Sequence, residues 1–135
     1  MDKDCLFCKI IHTGEIPATK LYEDEYSYAF LDINPDSYGH TLLVPKKHTR
    51  NIFDIDEKTL ASLASPLIKI SQAIKKGLGA SGLKITMNNE PAGGQLVFHS
   101  HIHIIPFYEE ALHKLGVYKD GEIDNVAQKI KHALT

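Results

Sequence analysis

The chain has 135 residues, enough to bury one hydrophobic core and too few for two independent ones, so a single domain over 1–135 is expected. Its formal net charge is -2 and its pI about 6.4, with lysines scattered among acids; no basic stripe is available to follow a phosphodiester backbone, and no nucleic-acid partner is expected. The longest apolar runs are only a few residues and the first residues carry no apolar signal core, which predicts no membrane partner and a cytoplasmic protein, or a nuclear one in a eukaryote.

Both cysteines fall in one element, Cys5-Leu6-Phe7-Cys8, where metal binding, redox chemistry and coincidence are all open readings. Alternation and β-branched or aromatic content then predict strands over 19–23, 26–32 and 40–45. Next, Asp54 is expected to cap a helix with Glu57 in its first turn. Leu60, Leu63, Leu67, Ile70 and Ile74 recur at helical spacing until Gly77 and Gly79 end it, and Pro66 predicts a kink or a late start. Strands over 83–88 and 97–105 follow, and Ile123, Val126, Ala127, Ile130 and Leu134 give a short amphipathic C-terminal helix. Short turns between strands, with one long helix inserted, imply an α+β domain on an antiparallel sheet. Neither a Gly-x-Gly-x-x-Gly run nor a Walker lysine is present, so a nucleotide site would need another construction.

The strand over 97–105 is the unusual one. Alternation sends His99, His101 and His103 to one face and Phe98, Ser100, Ile102 and Ile104 to the other. Three imidazoles on a strand face cost packing without apolar return, which points to a metal cage or a phosphate site more than to exposed surface. A single ion rarely reaches the outer two of three alternate positions on an extended strand, so a shared catalytic metal fits less well. Just upstream, Asn88-Asn89-Glu90-Pro91-Ala92-Gly93-Gly94-Gln95 is a glycine-rich turn; alone it is ordinary, but before this strand it can aim backbone N–H groups at an anion.

The run His99-Ser100-His101-Ile102-His103-Ile104-Ile105 resembles the signature of the histidine-triad family, and Gly39-His40-Thr41-Leu42-Leu43-Val44-Pro45-Lys46-Lys47-His48 resembles its second motif. The similarity runs from about Cys5 to Pro106 and leaves 107–135 as a C-terminal extension. The resemblance implies a five-stranded antiparallel sheet with a long central and a short C-terminal helix, pairing into a ten-stranded sheet in a homodimer. It implies that His101 attacks the α-phosphorus of a purine nucleotide, AMP or a derivative, to form a nucleotidyl-histidine that water cleaves. His103, Asn88 and the backbone N–H groups of Gly94, Gln95 and Leu96 would hold the phosphate oxygens, with His40 completing the cluster. Asp32 would accept from the ribose hydroxyls, and Phe7, Ile10, Ile16, Phe30 and Ile33 would form the base pocket. Core packing for Phe30 and an Asx-type turn for Asp32 are the plainer alternatives. Some members bind structural zinc with the residues matching Cys5, Cys8, His48 and His99. Ser100, Leu96 and Phe107 depart from the family pattern; Leu96 stands where phosphoramidase members often carry Ser or Thr. The leading expectation is a phosphoramidase-like hydrolase, with dinucleoside polyphosphate hydrolysis, nucleotidyl transfer, or nucleotide binding with negligible turnover as alternatives. Its rate should fall as His101 protonates.

Overall fold

The computed structural model describes residues 2–109 and 117–135. Five strands, β1 (Lys20–Glu23), β2 (Ser27–Leu31), β3 (Thr41–Pro45), β4 (Gly82–Thr86) and β5 (Ile102–Phe107), form one sheet in the order β1-β2-β3-β5-β4 with every pairing antiparallel. The expected five-stranded antiparallel α+β architecture is thus the observed one. Asp24 closes the β1–β2 hairpin by accepting from the Tyr26 and Ser27 amides at 2.9 and 2.8 Å.

The central strands are covered on both faces, which explains why all five residues of β3 are buried. Leu43, Ala29, Leu31, Ile102 and Ile104 pack under the helices, whereas Phe30, Leu42 and Val44 meet Cys5, Phe7 and Cys8 on the opposite face. That second cover is α1 (Leu6–Cys8) with the π-helical turn Lys9–Thr13 behind it, an element that three helical residues carry too little periodicity to announce.

The single central helix expected after Asp54 is two helices, α2 (Glu57–Ala61) and α3 (Ala64–Leu78). Asp56 caps α2 by accepting from the Thr59 amide at 3.1 Å, while Asp54 accepts from the Arg50 and Asn51 amides at 3.0 and 2.9 Å instead. Pro66 sits in the first turn of α3, where its missing N–H costs nothing, so it sets a late start. Gly79 ends α3 at φ +73°, but Gly77 lies inside the helix: a Cβ there would meet the Lys129 backbone oxygen at 2.6 Å, so its absence lets α3 approach α4 (Glu122–Leu134) closely. Ile70, Ala73 and Ile74 of α3 join Val126, Ala127 and Ile130 of α4 in the core.

The last strand begins later than expected. The Ser100 amide donates to Thr49 O at 2.7 Å and draws the chain off the sheet, so His99 and His101 precede β5 and only His103 lies on it, opposite Leu42 and Thr86. Among the described residues no helix is long and apolar enough to cross a membrane.

Candidate active site

A cleft of about 610 Å³ opens on the sheet face that α1 covers. Phe7, Ile10, Ile16 and Phe30 line its apolar part, Asp32 and Ile33 stand nearby, and His40, His101, His103, Asn88, Gly94 and Leu96 complete the wall. Phe7 packs edge-on to Phe30 and His101, with ring centroids 5.4 and 5.1 Å away, so the apolar wall and the histidines are one packed unit.

The imidazole protons follow from the partners. His101 is 6% exposed and its Nδ1 lies 2.6 Å from His99 O. A carbonyl only accepts, so Nδ1 carries the proton and Nε2 keeps its lone pair. In the neighbouring chain of bonds, the Asp36 amide donates to His40 Nδ1 at 3.0 Å, which puts the His40 proton on Nε2. Nε2 then donates to His103 Nδ1 at 2.9 Å, leaving His103 with an N–H on Nε2. The two remaining imidazole nitrogens therefore differ: a lone pair on His101 Nε2, a donor on His103 Nε2. Burial holds His40, His101 and His103 below the ordinary histidine range, keeping all three neutral near pH 7.

Asp32 divides its carboxylate. Oδ1 accepts from the Asn34 amide at 2.9 Å, the Asx-type turn, and Oδ2 lies 3.7 Å from His40 Nε2. Asp32, His40 and His103 bring donor atoms close enough for a metal. The Asp36 amide argues against one there, because a metal on His40 Nε2 would move the proton to Nδ1, against an N–H that already points at it.

A second cluster suits a metal well. His48 Nδ1 lies 3.4 Å from Cys8 Sγ and 3.1 Å from His99 Nδ1, which in turn lies 3.4 Å from Cys5 Sγ and 3.6 Å from Cys8 Sγ. Tetrahedral zinc with bonds of about 2.0 Å to nitrogen and 2.3 Å to sulfur would set such edges at about 3.3–3.8 Å. His99 Nε2 donates to Pro45 O at 2.7 Å, which fixes Nδ1 as the lone pair facing the thiols. Burial pushes the His99 pKa down to about 4, so this nitrogen is unprotonated at neutral pH.

The glycine-rich loop differs in detail from the expected phosphate cradle. The Gly94 and Gln95 amides donate within the loop, to Pro91 O at 3.0 Å and Glu90 O at 3.1 Å, because the backbone turns tightly with Gly94 at φ +89°. The Gln95 side chain is buried and bonds Arg50 O and Val97 O at 2.7 and 3.0 Å, holding the loop instead of lining the cleft. Among the described residues nothing accepts the Leu96 N–H, and the residue is 89% exposed.

The HIT domain family matches residues 13–110, well over half of the chain. The chain belongs to the HIT family. An adenylylsulfatase of Arabidopsis thaliana, HINT3, is 38% identical to this HIT protein over 141 residues, covering 99% of this chain and 71% of the plant protein. Among solved structures, a hypothetical histidine triad nucleotide-binding protein of Sulfolobus tokodaii superposes with a TM-score of 0.89 at 36% identity, covering 96% of this chain and 91% of its own. A zinc-bound histidine triad family protein of Mycobacterium smegmatis gives 0.88 at 36% identity, covering 97% and 93%.

Of the residues singled out in the HIT sequence, the fold brings all to the cleft or the thiol cluster except Gln95. Sequence reasoning passed over the Asp36 amide, Arg50 and Asn51. A backbone donor leaves no residue signature, and Arg50 and Asn51 meet the glycine-rich loop only across 40 and 39 residues of chain.

Proposed function

We propose that this HIT protein is a nucleotide-binding hydrolase that cleaves at the α-phosphate of a purine nucleotide derivative, in the manner of a nucleoside phosphoramidase. The observation that carries the reading is the 2.6 Å bond from His101 Nδ1 to His99 O, which leaves a neutral Nε2 lone pair in a cleft beside a donor on His103. Nε2 attacks phosphorus, the bond to the leaving group breaks with its electron pair, and a nucleotidyl-histidine results; water then attacks phosphorus and returns His101. His103 Nε2–H, Asn88 and the Leu96 N–H hold the phosphate oxygens as charge builds on them. The Asp32 Oδ2 accepts from the ribose, and Phe7, Ile10, Ile16, Phe30 and Ile33 hold the base.

Cys5, Cys8, His48 and His99 would hold structural zinc, a set that two thiolates and two imidazoles would close to substrate. A metal held there would fix His99, the residue whose carbonyl orients His101. β4 is an edge strand with Ile85 48% exposed, and a homodimer built across it would give a ten-stranded sheet. The protein works in the cytoplasm.

The name of the plant relative favours a second leaving group, since an adenylyl sulfate also breaks at the α-phosphorus. AMP release from adenosine 5'-phosphoramidate and from adenylyl sulfate, by the wild-type chain and by His101→Ala, tests both. Turnover of either substrate that vanishes in the variant supports the scheme and ranks the leaving groups. Binding of AMP without turnover of either, or of a dinucleoside polyphosphate, would leave a nucleotide-binding role and sink the hydrolase.

A further inference from the structure

Outside the cleft, one group of side chains has no role in the chemistry above and yet bears on it. Glu90 stands at φ +69° and ψ 158°, a conformation that essentially only glycine adopts, at the point where the glycine-rich loop turns toward the cleft. A non-glycine residue persists there only when its surroundings over-determine it, and these do. Arg50 grips the carboxylate with both arms, Nε at 2.7 Å and Nη2 at 3.1 Å, and its guanidinium carbon lies over the Phe98 ring, 4.2 Å from the centroid. Asn51 Nδ2 donates to the same carboxylate at 2.5 Å and to Gln95 Oε1 at 3.0 Å. That oxygen also accepts the Glu90 amide at 2.9 Å, and Glu90 O accepts the Gly93 and Gln95 amides. Most struts of the loop carrying Asn88, Gly94 and Leu96 thus pass through Glu90, Asn51 or Gln95, with the Ile52 amide to Asn89 Oδ1 at 2.8 Å as a separate tie. Segment 49–51, which receives them, follows directly on His48 and accepts the Ser100 amide.

We propose that Glu90, clamped by Arg50, is a positioning residue that sets the glycine-rich loop in the shape that receives the α-phosphate, while taking no contact with substrate itself. This rests on the nucleotide reading given above. The base and ribose sites are built from α1, residues 9–16 behind it, β2 and the turn after it, so the clamp affects the phosphate and leaves the nucleoside alone.

The experiment compares AMP and adenosine binding by calorimetry, with amide hydrogen exchange at Gly93, Gly94 and Gln95, in wild type, Arg50→Met, Arg50→Lys and Glu90→Gly. Methionine keeps an apolar stem over Phe98, lysine keeps the charge without the fork, and glycine keeps the backbone shape without the carboxylate. In Arg50→Met and Glu90→Gly the AMP Kd should rise roughly three- to tenfold, with adenosine unchanged, the three amides exchanging faster and Arg50→Lys in between. Equal losses for AMP and adenosine would make the clamp merely structural. Unchanged exchange and AMP affinity in either variant would overturn it outright. A wild-type chain that binds no AMP would instead defeat the nucleotide reading and take the phosphate role with it, an outcome distinct from a failed clamp.

Discussion

Because the His99 carbonyl can only accept, the tautomer of His101 is set by backbone geometry, and no carboxylate is needed to orient it. The same reasoning makes His40 a relay from the Asp36 amide to His103, which gives it a measurable share in acid stability. Burial lowers the folded-state pKa of His40 and His103 below the unfolded value near 6.5, so the unfolded chain binds more protons in the interval between. Stability is therefore full above about pH 6.5 and lost as pH falls through the folded values. The melting temperature should drop on acidification below that pH, and His40→Asn should make the drop shallower; a pH profile as steep as that of wild type would contradict the relay. Asp32 forms the Asx-type turn with one carboxylate oxygen, while the other lies near His40. The spacing of His101 and His103 makes this cluster legible in the sequence, but the protons on it depend on Asp36 and His99 backbone atoms that side-chain spacing does not report.

Among elements, α1 is the one whose function exceeds its size. Phe7 lies between Cys5 and Cys8 and is 3% exposed, packed on Phe30 and His101, so the thiol cluster and the proposed base pocket share one short segment. Removing the metal with a chelator should lower both the melting temperature and the affinity for adenosine, since the helix loses its anchor. Affinity that survives full metal removal would separate the two. On the opposite face of the sheet, Gly77→Ala forces a Cβ to 2.6 Å from the Lys129 oxygen and should destabilise the fold by about 1–3 kcal/mol in denaturant titration. AMP affinity should not change, because α3 and α4 do not line the cleft. Strands β1 to β3 were readable from local alternation, and α3 and α4 from their periodicity. The late start at Pro66 was legible as well, whereas the role of Gly77 and the late start of β5 were not, because each depends on a partner far along the chain: Lys129 for Gly77 and Thr49 for Ser100.

For the molecule as a whole, the sheet separates two tasks. One face buries the aliphatic core under α3 and α4, and the other carries the cleft, the thiol cluster and α1. This division lets the reactive face hold buried histidines without sacrificing the main core. It also leaves β4 as an edge, where an exposed Ile85 invites pairing with a second copy. The proposed homodimer predicts a dimer mass by light scattering for the wild-type chain that Ile85→Lys shifts to monomer; a wild-type monomer, or a dimer unchanged by the substitution, would contradict pairing across β4. The central claim, however, is covalent, and the most direct measurement is mass spectrometry of the protein quenched during turnover of adenosine 5'-phosphoramidate. An adenylyl group on His101, absent from His101→Ala, is the predicted result; AMP release by His101→Ala at the wild-type rate, or an adduct on another residue, would contradict it.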